Sequence, residues 1–297
     1  LPTPGAIVVA YAHFMADSPT VTSTPHPETI HDFGGFPLPL YEVEYPANGA
    51  PALAAEIAAL LAGAGFQPRT DDQLGIDHGT WVPLRRMYPQ AEIPVVALSV
   101  NPAQTAEWHY RLGLALSPLR EEGVLLVGSG GFSHNLRELD WRHADAPAYP
   151  WVQAFTEAMR AKLLAGDVPC VLDWQSLPEA RRNHPTTEHL YPLHFALGAG
   201  GEHAKATQLH QAVQMGGMAM DLNDYDWDAY LANDRTLSDP EVVPVDRGGR
   251  IRLRVINAAA ATVFWIDTGA AASRLVAVDG HAVQPLPGPR FGLAMGQ

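Results

Sequence analysis

Three histidines sit where apolar strands run out or turns begin. The run Ala6-Ile7-Val8-Val9-Ala10-Tyr11-Ala12 ends on His13. Val124-Leu125-Leu126-Val127 opens through Gly128-Ser129-Gly130-Gly131-Phe132-Ser133 into His134-Asn135. His78 lies in the turn-like stretch Asp77-His78-Gly79-Thr80-Trp81. Open α/β sheets bind ligands at the carboxyl ends of their strands. Histidines delivered there from separate strands can converge on one point. Imidazole is the commonest metal ligand and the side chain best poised to move a proton near neutral pH. The pattern therefore points to a metal-centred enzyme.

The elements that must position these residues read as two textures. Before Asp221, strand-like runs alternate with helix-like ones. Ala6 to Ala12, Ile93 to Val100 and Val124 to Val127 read as strands. Pro51 to Gly63, Ala106 to Leu119, Trp151 to Ala165, Glu188 to Leu197 and Lys205 to Met215 read as helices. That alternation predicts an α/β domain over residues 1–220, with a central, mostly parallel sheet flanked by helices. From Asp221 to Gln297 the pattern is all-β. Ile251 to Ile256 alternates apolar and charged residues, Thr262 to Asp267 and Leu275 to Val278 are strand-like, and Asp279-Gly280 is a hairpin signal. These 77 residues are few for a sandwich, so the second segment, 221–297, is expected to be a partial β domain.

Composition narrows the function. A net charge of −13 argues against nucleic acid and anionic membrane as partners. No apolar run is long enough to span a bilayer. The single cysteine, Cys170, allows neither an internal disulfide nor a cysteine-rich zinc site, and it fits a cytoplasmic protein. Oligomeric state is not legible.

Four ordered blocks carry a resemblance: TSTPHPETIHDFGGFP at 22–37, DHGTWVPLRRMYP at 77–89, GSGGFSHNLR at 128–137 and HPTTEHLYPLHFALG at 184–198. Together they resemble the DOPA 4,5-extradiol dioxygenase family, the class III extradiol ring-cleavage enzymes. The resemblance implies a metal-dependent dioxygenase that opens a catechol such as DOPA beside its diol with O2. It implies His13, in an Ala-His-Phe block, as a metal ligand, and His134 as a ligand or the catalytic acid/base. It implies His78 as a catalytic histidine that orients substrate and oxygen, and His210, in a late Leu-His block, as a further ligand. The expected cofactor is a divalent metal: Fe(II) for turnover, or Zn(II) as a bound but redox-inert substitute. The expected partners are the catechol and O2.

The resemblance also sets two departures. The family's opening Ser-His-Gly-x-Pro block, whose histidine is a ligand, has no match here, so the domain reads as N-terminally incomplete and its metal as weakly held. The tail, roughly 223–297, resembles the middle cupredoxin domain of multicopper oxidases. It holds no His-x-His pair and no His-Cys-His block, so no copper is expected. An inactive metal-binding remnant or fusion product with a β interaction module is the alternative.

Other histidines read as ordinary packing or surface residues: His26, His31, His109, His143, His184, His194, His203 and His281. His189 is open between lining a pocket and packing within a helix. Gly128 to Gly131 lacks the Lys-Ser/Thr of a phosphate loop and reads as a turn that lets backbone approach the site. Arg85-Arg86 is open between steering an acidic substrate and solvating a helix face.

Overall fold

The computed structural model describes residues 3–36, 38–203, 205–225, 264–269, 272–278 and 281–293. It divides into two compact units, Pro2–Asp226 and Trp227–Gln297.

The larger unit is built on a five-stranded sheet. Its strands are β1 (Ala6–Met15), β2 (Thr20–Thr22), β3 (Arg69–Asp71), β4 (Val95–Val100) and β5 (Val124–Ser129). The order is β3-β2-β4-β1-β5. β1 runs parallel to both β4 and β5, and β2 is parallel to β3 but antiparallel to β4. The mostly parallel α/β sheet expected from the alternation is present.

β1 has no solvated face because both sides of the sheet are covered. Val8 and Ala10 pack with α1 (Pro51–Gly63), α3 (Ala106–Leu116) and α7 (Tyr191–Ala199). Ile7, Val9 and Tyr11 pack with α2 (His78–Met87). This explains the unbroken apolar run: a strand covered on both faces shows no alternation. A third cluster surrounds α4 (Pro150–Ala165), with Trp151, Phe155 and Met159 fully or nearly buried. Short helices α5 (Val168–Leu172) and α6 (Ala180–Asn183) lie beside it in sequence.

Two expectations are corrected. Lys205 to Met215 is not a helix but strand β6 (Ala206–Gln214), paired antiparallel with β7 (Met218–Tyr225). Its Ala, Gln, Leu and Met content favours helix. Left-handed φ at Met215 and Gly216 closes a hairpin instead, and strand pairing overrides the weak propensity. The β texture therefore starts before Asp221. The helix expected from Glu188 begins only at Tyr191, and residues 188–190 form a turn. Pro192, in the first helical positions, marks that start.

In the smaller unit β8 (Phe264–Asp267) pairs with β11 (Arg290–Leu293), and β9 (Arg274–Val278) pairs with β10 (His281–Pro287), all antiparallel. The expected strand Ile251 to Ile256 and turn Asp279-Gly280 lie outside the described residues. No helix among the described residues is long and apolar enough to cross a membrane.

Helices α3 and α7 cross at glycines. A Cβ at Gly198 would meet the Tyr110 carbonyl, and one at Gly113 would meet the Phe195 carbonyl. Gly198→Ala is expected to destabilise the domain by about 1–3 kcal/mol through overpacking, read as a lower urea midpoint. Three buried histidines set a second expectation. His109 donates Nδ1–H to the Thr105 carbonyl (2.8 Å), and His184 and His194 donate Nε2–H to the Phe132 and Val171 carbonyls (3.2 and 3.1 Å). Burial holds them down to about 3, 3 and 4 respectively. Above pH ~6.5 they are neutral whether folded or unfolded, and their contribution is intact. As pH falls the unfolded chain takes protons that the folded chain refuses, and stability drops by up to about 1.4 kcal/mol per pH unit per histidine. The urea midpoint should fall steadily between pH 6.5 and 4. A flat profile would contradict this account.

Candidate metal centre

Pairing of β1 with both neighbours holds through Tyr11, opposite Ser99 and Ser129. Its register with β4 then shifts between Tyr11 and Met15. His13 falls in this irregular end, where side chains are no longer confined by the sheet's two layers. Its ring centroid lies 4.4 Å from that of His78 and 5.2 Å from that of His189.

His78 is the first residue of α2. Asp77 caps that helix by accepting from the Gly79 amide at 2.9 Å. The Gly79 carbonyl accepts from the Ser129 hydroxyl at 2.6 Å, which ties the end of β5 to the same turn. Burial, then the nearby Asp32 charge, pushes the Asp77 carboxyl up to about 6. The Tyr11 phenol beside it is raised by burial and then by Asp77.

Asp32 joins the two histidines. Its Oδ1 accepts from His78 Nδ1 at 2.6 Å, and its Oδ2 lies 3.2 Å from His13 Nδ1. The second contact is within ion-pair distance but off the hydrogen-bond line, so His13 Nδ1 is buried without an aligned partner. Burial alone would raise Asp32, but the hydrogen bonds from His78 outweigh it and hold the carboxyl low. His13, Asp32, Asp77 and His78 offer donor atoms all within 4.8 Å of one another.

His189 approaches from the opposite end of the chain. Its Nε2 is 3.2 Å from His13 Nε2, and its Nδ1 is 3.1 Å from Glu188 Oε1. That hydrogen bond holds Glu188 down to about 2. The approach requires Gly130: a Cβ there would strike the His189 carbonyl, which instead accepts from the Gly131 amide at 2.8 Å. The glycine-rich stretch after β5 thus admits backbone to the site, as its composition implied.

His134 stacks on His189, with centroids 3.4 Å apart and planes within 9°. Burial, then the neighbouring His189, holds it down to about 4. Burial, then His78 and His189, lowers His13 as well. The His134 loop is pinned from two sides. Its own amide donates to the Asn183 carbonyl, while the Phe132 and Ser133 amides donate to the Ala219 carbonyl on β7. Asn135 donates to the Arg182 carbonyl at 2.7 Å, and Glu138 holds the Arg182 guanidinium.

The structure sets His13 beside His78, and His134 joins the same cluster by stacking on His189. It does not bring His210 to them: that residue is exposed on β6, paired opposite Leu222. Its expectation as a ligand rested on a short Leu-His match within a segment that folds as a strand. Asp32 and Glu188 drew no notice from sequence, and His189 was left open. The available signal was Pro192, which places His189 just before a helix. Arg85 and Arg86 are exposed in the last turn of α2, away from the end that carries His78.

The donors suit a divalent cation. Two imidazole nitrogens each about 2.1 Å from one ion lie about 3.0–3.4 Å apart for angles between octahedral and tetrahedral. The His13 and His189 Nε2 atoms, 3.2 Å apart, match that spacing.

Residues 2–221 match the family described as the catalytic LigB subunit of aromatic ring-opening dioxygenase. The chain is 44% identical over 211 residues to the 4,5-DOPA dioxygenase extradiol of Beta vulgaris, covering 70% of this chain and 78% of that one. It is 42% identical over 225 residues to the protein of the same name from Escherichia coli K12, covering 74% and 82%. The crystal structure of the uncharacterized Escherichia coli K12 protein JW3007 superposes with a TM-score of 0.64 at 35% identity, covering 74% of this chain and 86% of that one. With the histidine cluster at the strand ends and the family match spanning the whole sheet domain, the chain belongs to the LigB family of aromatic ring-opening dioxygenases.

Proposed function

We propose that this enzyme is an extradiol dioxygenase that opens a catechol such as DOPA beside its diol, using O2 and a divalent metal held by His13 and His189. One observation carries the metal assignment. Each of these imidazoles has its Nδ1 facing a carboxylate, Asp32 or Glu188, and their Nε2 atoms face each other at 3.2 Å. A carboxylate only accepts, so it draws the imidazole proton to Nδ1 and leaves a lone pair at Nε2. Two lone pairs at that distance repel unless a cation lies between them. Carboxylate–histidine–metal arrangements of this kind are common. The DOPA named for the Beta vulgaris and Escherichia coli relatives supports the substrate class.

When bound, Fe(II) would supply a redox-active Lewis acid at which diol and O2 can be held side by side. The chain's own residues would handle protons and shape. His78, its Nδ1–H committed to Asp32, offers Nε2 as an acceptor for a catechol hydroxyl proton. His134, neutral down to about pH 4, can take the second proton and return it to the opening ring. Phe33 meets His78 edge-on at 5.6 Å and Trp81 at 6.1 Å, which supplies an apolar wall for an aromatic ring. His210 stands outside this assignment.

We read the catalytic domain, expected over 1–220, as running on through β7 to the end of the larger unit, and the rest of the expected 221–297 segment as a partial cupredoxin-like β segment with no copper role. The blocks Arg252 to Asn257 and Ala277 to His281 support that likeness, and the missing paired-histidine motifs argue against copper.

Anaerobic loading with Fe(II), followed by DOPA and air, tests the assignment. Oxygen uptake should accompany a yellow ring-opened semialdehyde. His13→Ala and His189→Ala should each lower the rate at least ~100-fold together with metal content, whereas His210→Ala should keep both. His134→Ala should lower the rate with metal content unchanged. The Zn(II) form should bind catechol without oxygen uptake. Folded, Fe(II)-loaded protein that consumes no oxygen with any catechol would sink the reading.

A further inference from the structure

We propose that Asp32 is a positioning residue that sets the tautomer of two imidazoles at once, so that His13 and His78 both carry their proton on Nδ1 and leave Nε2 bare. The proposal rests on the reading of His13 as a metal ligand and His78 as a proton acceptor.

The two oxygens of Asp32 divide the work. Oδ1 accepts from both the His78 backbone amide (3.3 Å) and the His78 Nδ1 (2.6 Å), and Oδ2 faces His13 Nδ1 at 3.2 Å. An ionised carboxylate has no proton to give, so the short contact places a proton on His78 Nδ1. A neutral imidazole has one proton, and its Nε2 is then an acceptor. His13 Nδ1 lies 3.2 Å from Oδ2 without an aligned bond, so there the carboxylate acts through its charge, which favours a proton on the nitrogen nearest to it. Both oxygens face imidazoles, so Asp32 serves as a support for ligand and base rather than as a ligand itself.

The carboxylate can impose this order because its segment is nailed in place. The Ile30 amide donates to the Ile76 carbonyl at 2.8 Å, and Trp81 Nε1 donates to the Ile30 carbonyl at 2.9 Å. His31 Nε2 donates to the Val43 carbonyl at 2.9 Å, and Phe33 packs edge-on against His78. Asp32 is thus bracketed on both sides by residues whose own positions are fixed by α2 and the core. A side chain held this way orients its partners without having to be ordered by them.

Asp32→Asn keeps the shape and replaces one acceptor oxygen with an NH2 donor. One imidazole must then move its proton to Nε2. In the metal-free full chain, imidazole 15N shifts should show Nδ1–H at both His13 and His78 in the parent and an Nε2–H at one of them in Asp32→Asn. Zn(II) affinity, measured by chelator competition, should weaken about 10- to 100-fold in Asp32→Asn and recover in part in Asp32→Glu. The Co(II) absorption bands of saturated Asp32→Asn should keep their positions. Unchanged tautomers with Zn(II) affinity within about 2-fold of the parent would overturn the proposal. Shifted Co(II) bands would also overturn it, because they would make Asp32 a ligand. Tautomers that follow the substitution in a chain whose parent shows no ring cleavage would sink the catalytic reading and leave this one standing.

Discussion

Strand β1 must satisfy its backbone on both edges, because it lies between β4 and β5 with apolar layers above and below. Ile7 through Ala10 are fully buried, and Tyr11 nearly so. An unpaired amide or carbonyl there would cost as much as a lost hydrogen bond. Regular pairing therefore runs unbroken until Tyr11 and gives way only at the strand's end. Beyond that point a side chain is no longer confined between the two layers. His13 lies there, and the rest of the site is arranged around it.

Each further site residue arrives on a different device, and each device is secured by the core. His78 comes with a capped helix, whose Asp77 bonds the first turn and whose Trp81 is buried beneath it. His134 comes on a loop clamped between α6 and the β6–β7 hairpin. His189 comes on a turn that can reach β5 only because Gly130 has no side chain. The paired carboxylates Asp32 and Glu188 then commit the outer nitrogens of the rings they touch. Burial lowers the pKa of both His13 and His134, which favours the neutral imidazole.

The smaller unit is held together differently. Its two strand pairs are linked by local side-chain bonds: Thr268 Oγ1 and Ser273 Oγ are 2.7 Å apart, and the Ser273 hydroxyl donates to the Gly288 carbonyl at 2.5 Å. Val283 and Leu286 are exposed there.

The sequence by itself indicated three of the five strands, β1, β4 and β5, and the three histidines near strand ends and turns; it did not indicate the short strands β2 and β3. Short apolar runs alternating with helical segments read as strands of a covered sheet, and the carboxyl ends of such strands are where ligands bind. It also determined the family, through four blocks in order. It did not determine the β6–β7 hairpin, since helix propensity is a weak local preference and antiparallel pairing across the Met215-Gly216 turn overrides it. Nor could it show that His189, rather than His210, lies against His13. Both are histidines after a leucine or glutamate in a polar stretch, and one comes to lie against His13 only because two segments nearly sixty residues apart meet at a glycine. Asp32 was invisible for the same reason: a carboxylate in a loop becomes an orienting group only when folding sets two imidazoles on either side of it.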